Sequence, residues 1–141
     1  MSYDIRQMSI EDYDLIITLW KASEGIGLSA DDSRERITLY LEKNPGYSFS
    51  AWVERQLVGA VLCGHDSRRG YLHHLAVSKD YWHRGIGKAL AECCLQALKE
   101  AGITKCHIFV FRDNHNAISF WKKIGWVERV ELTLLSKSLS S

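Results

Sequence analysis

The run Arg84-Gly85-Ile86-Gly87-Lys88-Ala89-Leu90 joins a predicted strand, Tyr71–Val77, to a predicted helix that extends from Ile86 to Ala101. The helix is indicated by apolar residues that recur at i, i+3, i+4 and i+7 through four turns, and Gly102 ends it. This unit of strand, glycine turn and helix is the most informative segment of the chain.

The glycine turn has the features of an anion-binding site. The first N–H groups of a helix have no intrahelical acceptor, and the helix dipole adds about half a positive charge there. Gly85 and Gly87 carry no side chain to shield these donors, and Arg84 and Lys88 add positive charge. The run therefore predicts a site for a pyrophosphate or similar anion, with a tight turn that binds nothing as the alternative. A Walker loop is disfavoured because no Ser or Thr follows Lys88, and a dinucleotide fold because position 90 is Leu.

The remaining segments alternate between strand and helix patterns. Their predicted bounds are a strand Tyr3–Gln7, helices from about Ile10 to Ala22 and from Asp32 to Asn44, strands Ser48–Glu54, Leu57–His65 and Lys105–Phe111, a helix from Asn114 to about Ile124, and a terminal strand pair, Trp126–Val130 and Glu131–Leu135. From this order we expect an α/β fold, with a mixed central sheet of six or seven strands and about four helices on its two faces.

Composition is typical of a single soluble domain. The 141 residues are 46% hydrophobic and 25% charged, and we expect one domain over residues 1–141. A formal net charge of +1 argues against binding of nucleic acid through phosphate neutralisation. No apolar run approaches the roughly 20 residues of a membrane span, and residues 1–6 show no signal pattern. We therefore expect a cytoplasmic protein without nucleic-acid or membrane partners.

The four cysteines agree with a reducing compartment. Cys63, Cys93, Cys94 and Cys106 lie in apolar segments, and no pair has the spacing of metal ligands. We expect free thiols that pack as small hydrophobic side chains, and no metal site.

A second constellation follows the predicted strand Lys105–Phe111. It reads Asn114-His115-Asn116-Ala117-Ile118-Ser119-Phe120-Trp121-Lys122-Lys123-Ile124-Gly125-Trp126. Asn114 can cap the helix or bond a ligand amide, Ala117 permits close approach, and Phe120 with Trp121 offers a flat apolar wall.

Together, these two constellations resemble the cofactor motifs of the GNAT family of N-acetyltransferases. Leu75-Ala76-Val77 followed by the run 84–90 looks like the acetyl-CoA pyrophosphate motif, and residues 114–126 look like the second cofactor motif. The resemblance covers nearly the whole chain. It implies a GNAT-like domain whose fourth and fifth strands, Tyr71–Val77 and Lys105–Phe111, splay apart to admit the pantetheine arm.

The resemblance also implies the co-substrate and its contacts. The family moves acetyl directly from acetyl-CoA to an amine, with no covalent enzyme intermediate and no metal. The matching cofactor-binding residues are Leu75, Ala76, Val77, Arg84, Gly85, Ile86, Gly87, Lys88, Ala89, Asn114, Ala117, Phe120 and Trp121. The family's usual acid is a tyrosine at the position of Trp121, which cannot give up a proton in this range. A non-catalytic CoA-binding module is therefore the alternative.

Catalytic roles follow from the same resemblance. The thioester carbonyl would be polarised by the backbone N–H of Leu75 or its neighbour. The family's bases fall on the positions of Tyr71, which departs from the common Glu, and His73, which titrates near neutral pH. Strand alternation places Tyr71, His73 and Leu75 on one face and His74 on the other. His73 is the predicted base, a hydrogen-bonded sheet histidine is the alternative, and His74 is a second candidate.

The acceptor side is expected on the first two helices and their loop. Glu24, Asp31, Asp32 and Glu35 form an acidic cluster in sequence, and Trp20 and Tyr40 could supply apolar walls. Such a lining suits a cationic amine, whereas Asp32 and Glu35 as simple helix caps are the alternative. The five tryptophans leave room for a homodimer surface.

Overall fold

The computed structural model describes residues 2–140. These residues form five strands and four α-helices: β1 Asp4–Gln7, α1 Tyr13–Lys21, α2 Arg34–Lys43, β2 Phe49–Val53, β3 Gln56–His65, β4 Gly70–Val77, α3 Ile86–Glu100, β5 Cys106–Ile108 and α4 His115–Lys123. Short 3-10 turns at Ile10–Asp12, Ala30–Asp32 and Lys79–Tyr81 precede α1, α2 and α3. The predicted α/β class and the four helices are confirmed.

The strands form one sheet in the order β1-β2-β3-β4-β5. Neighbouring strands are antiparallel except β4 and β5, which are parallel, so the sheet is mixed as predicted. A parallel pair needs a crossover connection, and α3 provides it.

The prediction of six or seven strands is wrong, because the described chain has five. The predicted terminal pair over 126–135 shows no strand pairing there, and Val127, Val130 and Leu135 are at least 80% exposed. Alternating apolar and polar residues form a strand only where the backbone N–H and C=O groups meet a partner ladder. The predicted strand Lys105–Phe111 likewise shortens to Cys106–Ile108.

Helices cover both faces of the sheet. On one face, α1 and α2 bury Ile16, Trp20 and Ile37 against Leu62 and its neighbours in β3. On the other face α3 packs so closely that a Cβ built on Gly59 would lie 2.9 Å from Leu90 Cδ1. The amphipathic pattern of α3 thus becomes a buried stripe, and removal of its apolar surface from water stabilises the fold at about 25 cal/mol per Å².

The chain divides into two compact units, one ending at Phe109 and the other beginning at Val110. The first unit contains the whole sheet with α1, α2 and α3, and the second contains α4. A single domain over residues 1–141 stays a prediction. No helix within residues 2–140 combines the length and apolarity needed to cross a membrane.

Candidate active site

A β-bulge in β4 decides which side chains reach the site. β3 and β4 pair at Leu62↔His73 and again at Ala60↔Ala76, so Val61 alone faces two residues, His74 and Leu75. His74 takes up the irregularity with a φ of +56°, which few residues other than glycine adopt. The expectation that His74 lies on the face opposite His73 is therefore wrong, because the extra residue shifts the side-chain alternation.

Both histidines line one cavity of about 310 Å³ within the first unit. Its polar and charged lining residues are Asp31, Asp32, Arg36, Tyr40, His73 and His74, and we refer to it as the histidine cavity. The cavity thus combines two imidazoles with carboxylates, a guanidinium and a phenol.

His74 is held by a carboxylate. Its Nε2 lies 2.9 Å from Asp32 Oδ1, and the two side chains are only 19% and 11% exposed. Asp32 Oδ2 accepts a 3.1 Å hydrogen bond from the Ser29 backbone N–H, which completes a capping box on the turn Ala30–Asp32. The edge of Trp20 packs against the His74 ring with centroids 5.0 Å apart. The His74 imidazole is therefore fixed in place from two sides.

The His73 ring packs against aromatic rings and has no direct contact with a carboxylate in the described structure. Tyr71 stacks on it at 6.5 Å between ring centroids, and Tyr40 meets it edge-on at 6.2 Å. Burial, with a smaller contribution from His74, lowers the pKa of His73, and the Asp32 carboxylate opposes that shift. His73 is therefore disposed to be neutral near pH 7. Burial also raises the pKa of Tyr40, so its hydroxyl stays protonated.

The acidic cluster expected from sequence is only partly assembled. Asp31 and Asp32 line the histidine cavity, whereas Glu24 and Glu35 are not among its lining residues. Helix α2 is capped by Ser33, which accepts from the Arg36 N–H, so the alternative in which Asp32 is simply the cap of this helix does not hold. Asp32 instead caps the turn before it with one oxygen and meets His74 with the other.

The glycine turn lies at the start of α3, as expected. Gly85 is the N-cap with a φ of +83°, and a Cβ built there would meet no atom within 4 Å. The first intrahelical bond runs from the Ala89 N–H to the Gly85 carbonyl at 3.0 Å. The N–H groups of residues 86–88 thus precede any intrahelical acceptor and lie at the positive end of the helix dipole.

Charged side chains flank the same turn. Arg84 lies over the Tyr81 ring, 5.4 Å from its centroid, and Lys88 Nζ is 3.9 Å from Glu92 Oε1 on the exposed face of α3. Arg84 and Lys88 therefore add positive charge near the start of α3.

The backbone of β4 is only partly paired on its β5 side. The parallel ladder ends at Leu72↔Ile108, although β4 continues to Val77. The Val77 carbonyl accepts a 2.6 Å hydrogen bond from the indole N–H of Trp82. The stretch of β4 that contains Leu75 and Ala76 thus runs past the end of the β5 ladder.

The second constellation lies in the second unit. Asn114 Oδ1 caps α4 by accepting a 3.2 Å hydrogen bond from the Ala117 N–H. Trp121 is buried and meets both Phe120 and Trp126 edge-on, with ring centroids 5.1 and 4.8 Å away.

All four cysteines are free thiols. Cys63 and Cys94 are buried; a hydrogen bond to Cys63 and burial raise the pKa of Cys94. Burial raises the pKa of Cys106 to about 12. Within residues 2–140 no group of three or more His, Cys, Asp or Glu side chains is arranged to hold a metal ion.

The pairing of Asp32 with His74 is not indicated directly by the sequence. The two residues are 42 positions apart, and the pairing depends on a bulge that no glycine or proline marks. The sequence does contain one indication, the adjacent pair His73-His74 near the end of a predicted strand. A bulge at this pair would bring both rings to the same face of the sheet.

Known proteins resemble this chain over most of its length. The model of the Acetyltransferase (GNAT) family matches residues 13–126. An acetyltransferase of Pectobacterium atrosepticum is 31% identical over 136 residues, covering 96% of this chain and 95% of its own. One of Sodalis glossinidius is 30% identical with the same coverage. The crystal structure of the PaiA N-acetyltransferase from Thermoplasma acidophilum in complex with coenzyme A superposes with a TM-score of 0.79 at 25% identity, covering 89% of each chain. The chain belongs to the GNAT family of acetyltransferases.

Proposed function

We propose that this chain is an acetyl-CoA-dependent N-acetyltransferase that passes the acetyl group directly to an amine bound in the histidine cavity. The observation that carries the proposal is the cavity itself, in which two imidazoles lie beside the carboxylates of Asp31 and Asp32. An amine arrives largely as an ammonium ion, which carboxylates attract, and must lose a proton before it can attack a carbonyl. Groups for both tasks line the same 310 Å³ space.

The residues at the start of α3 fit the phosphates of acetyl-CoA. N–H groups without an intrahelical acceptor, open space beside Gly85 and the charges of Arg84 and Lys88 favour a pyrophosphate there. We assign the phosphates to residues 84–89, including Ile86, Gly87 and Ala89. The pantetheine arm is assigned to the splay beside Leu75, Ala76 and Val77, where the β4 backbone extends past the β5 ladder. We assign further contacts to Asn114, Ala117, Phe120 and Trp121.

The chemistry divides among a few groups. Bound acetyl-CoA supplies an activated thioester. We propose that the Leu75 N–H polarises its carbonyl, because a backbone donor at a bulge can point away from the sheet ladder. The proton acceptor is an imidazole of the histidine cavity, for which His73 and His74 are the two candidates. Tyr71 would contribute by holding the His73 ring, on which it stacks. Trp121 lacks an acidic proton, so the thiolate would take its proton from elsewhere.

Release of free thiol from acetyl-CoA tests the function. The acceptor panel contains polyamines, amino acids, aminoglycosides and peptides with free N-termini, since no contact in the cavity selects among them. We expect thiol release with at least one cationic amine. A chain that binds CoA but releases no thiol with any acceptor would instead be a non-catalytic CoA-binding module.

Gly87→Glu tests the cofactor site separately. The substitution places bulk and negative charge at the first turn of α3, so CoA affinity should fall sharply while the amine site is untouched. Unchanged CoA affinity would refute the assignment of the phosphates.

Two broader assignments belong to the same proposal. A cytoplasmic location is supported by four free cysteines, which a reducing compartment maintains.

A homodimer is supported by exposed apolar side chains in the second unit, including Val130, Leu132 and Leu134. Sedimentation equilibrium over a range of protein concentrations tests the dimer, and a monomer throughout would refute it.

A further inference from the structure

We propose that His74, oriented by Asp32, is the residue that takes the proton from the acceptor amine, and that Asp32 is its positioning residue. This inference rests on the proposed function, and goes beyond it by choosing between the two imidazoles. The geometry that carries it is the 2.9 Å contact between His74 Nε2 and Asp32 Oδ1 at the wall of the histidine cavity.

The contact fixes the tautomer of His74. An ionised carboxylate can only accept a hydrogen bond, so Nε2 must carry the hydrogen that joins it to Asp32. In the neutral ring the other nitrogen, Nδ1, then holds the lone pair. A histidine with one nitrogen bonded to a carboxylate presents the lone pair of its other nitrogen in a fixed direction, and that lone pair can accept a proton.

Asp32 is itself rigidly placed. It is 9% exposed, its second oxygen accepts from the Ser29 N–H at 3.1 Å, and its carbonyl accepts from the Tyr13 hydroxyl at 2.6 Å. The backbone of His74 is strained, with a left-handed φ of +56°. The Trp20 ring packs against the His74 ring in an edge-on arrangement. Backbone strain of this kind is concentrated at functional sites. Here it occurs beside a carboxylate whose two oxygens both have hydrogen-bond partners.

His73 lacks this arrangement. Its ring neighbours are Tyr71, Tyr40 and His74, and burial lowers its pKa, so the surroundings disfavour an imidazolium there. The ionisable groups that face His74 in the cavity are Asp31 and Asp32 of the turn before α2, Arg36 and Tyr40 of α2, and His73 of its own strand. Of these, the Asp32 carboxylate makes the direct contact.

In the proposed step, proton transfer from the ammonium precedes acetyl transfer. The ammonium gives one proton to His74 Nδ1, which leaves a neutral amine and an imidazolium paired with Asp32. The amine nitrogen then forms a bond to the acetyl carbon, the C–S bond breaks, and its electron pair leaves on sulfur. The second N–H proton neutralises the thiolate directly or through water, which yields the amide and free CoA thiol. The imidazolium returns its proton to water.

The kinetic test compares His74→Gln with His73→Gln. Glutamine keeps an N–H donor for Asp32 but cannot accept a proton, so the fold contact survives. We expect His74→Gln to lower kcat by about 100-fold or more, the scale of a lost general base. It should also remove the rise of kcat/KM across the range where imidazoles titrate, and leave CoA affinity unchanged. His73→Gln should retain that rise.

Asp32→Asn and Ser29→Ala separate positioning from capping. An asparagine has one carbonyl oxygen for two donors, so His74 should lose its fixed tautomer. Ser29→Ala removes the Ser29 Oγ acceptor of the Asp31 N–H, which belongs to the same capping box, without touching the His74 contact. We expect Asp32→Asn to alter the pH profile and to lower kcat by about tenfold or more, and Ser29→Ala to leave the pH profile as in the wild type.

Nitrogen-15 NMR of the imidazoles provides a readout without catalysis. The unliganded wild type should show His74 protonated on Nε2 and not on Nδ1, and Asp32→Asn should add the other tautomer. A neutral His74 ring with its hydrogen on Nδ1 overturns the proposal. So does a pH profile that is lost in His73→Gln but kept in His74→Gln, although that result leaves the proposed function intact. A wild type that acetylates no amine overturns the proposed function and this inference together.

Discussion

The hydroxyl of Tyr13 donates a 2.6 Å hydrogen bond to the backbone carbonyl of Asp32 and so ties α1 to the turn that faces His74. The guanidinium of Arg34 lies over the same tyrosine ring, 5.4 Å from its centroid. One side chain thus joins both helices of the acceptor side to the wall of the histidine cavity.

Tyr13→Phe removes this bond and keeps the ring. A partly buried hydrogen bond contributes about 1 kcal/mol, so we expect that loss in the free energy of unfolding. The turn should also become less fixed, which should raise KM for the amine several-fold without changing CoA affinity. Steady-state kinetics and urea unfolding measure the two effects.

Tyr81→Phe is the control for that experiment. Tyr81 also has an arginine over its ring and donates to Gln56 Oε1 at 3.5 Å, but it lies in the turn before α3 and does not line the cavity. Its amine KM should match the wild type. A Tyr13→Phe protein with wild-type kinetics would show that the bond has no role in acceptor binding.

Gly85→Ala tests the anion site with a matched partner at the other end of α3. Gly85 and Gly102 both have a φ of +83°, and a Cβ on either would meet no atom within 4 Å. Each alanine should therefore cost about 1–2 kcal/mol of unfolding free energy through the left-handed backbone alone. Only Gly85→Ala should weaken CoA binding, by about tenfold or more, because its methyl group enters the space assigned to the phosphates. Equal CoA affinity in the two variants, measured by calorimetry, would contradict that assignment.

The elements that sequence predicts well are those set by local pattern. Helix α3 was expected from Ile86 to Ala101 and is found at Ile86–Glu100, because its apolar spacing and its flanking glycines act within one turn of the chain. The Gly85 N-cap and the Asn114 cap were likewise readable, since both depend on near neighbours.

The features that sequence misses depend on contacts between distant segments. The bulge at His74 comes from the register of β3 against β4, and the partner of His74 is 42 residues away. The terminal segment shows the converse, because Leu132 and Leu134 alternate with polar residues yet remain exposed and outside the strands of the described chain. An alternating pattern of apolar and polar residues predicts which face of a sheet each side chain would occupy. It does not show that a neighbouring strand is present to pair with.

Gly64→Ala probes how tightly α2 is seated beside the cavity. A Cβ on Gly64 would lie 2.7 Å from the Tyr40 hydroxyl oxygen and 2.6 Å from Asn44 Cγ. Asn44 cannot move freely, because its Oδ1 accepts from the His65 N–H at 3.0 Å. We expect a loss of about 1–3 kcal/mol in the free energy of unfolding and a raised amine KM, since Tyr40 lines the cavity.

Gly59→Ala is the comparison on the opposite face of β3. Its Cβ would meet the flexible end of Leu90 at 2.9 Å, and Leu90 belongs to α3. We expect a smaller loss of stability and an unchanged amine KM. Equal effects of the two alanines on amine KM would show that the seating of α2 does not shape the acceptor site.

The pH dependence of stability should report the burial of His73. The pKa of His73 in the folded protein is lowered by burial, with a smaller contribution from His74. At pH values just below the ordinary histidine pKa, the unfolded chain therefore binds more protons than the folded one. The free energy of unfolding should therefore fall as pH is lowered from about 7 through that interval. His73→Gln cannot titrate and should show a shallower fall between pH 7 and pH 5. His115→Gln, which removes an exposed imidazole from the second unit, is the control for loss of one histidine. Urea unfolding at several pH values measures the slopes, and a His73→Gln protein with the wild-type slope would show that burial of this ring does not disfavour its charged form.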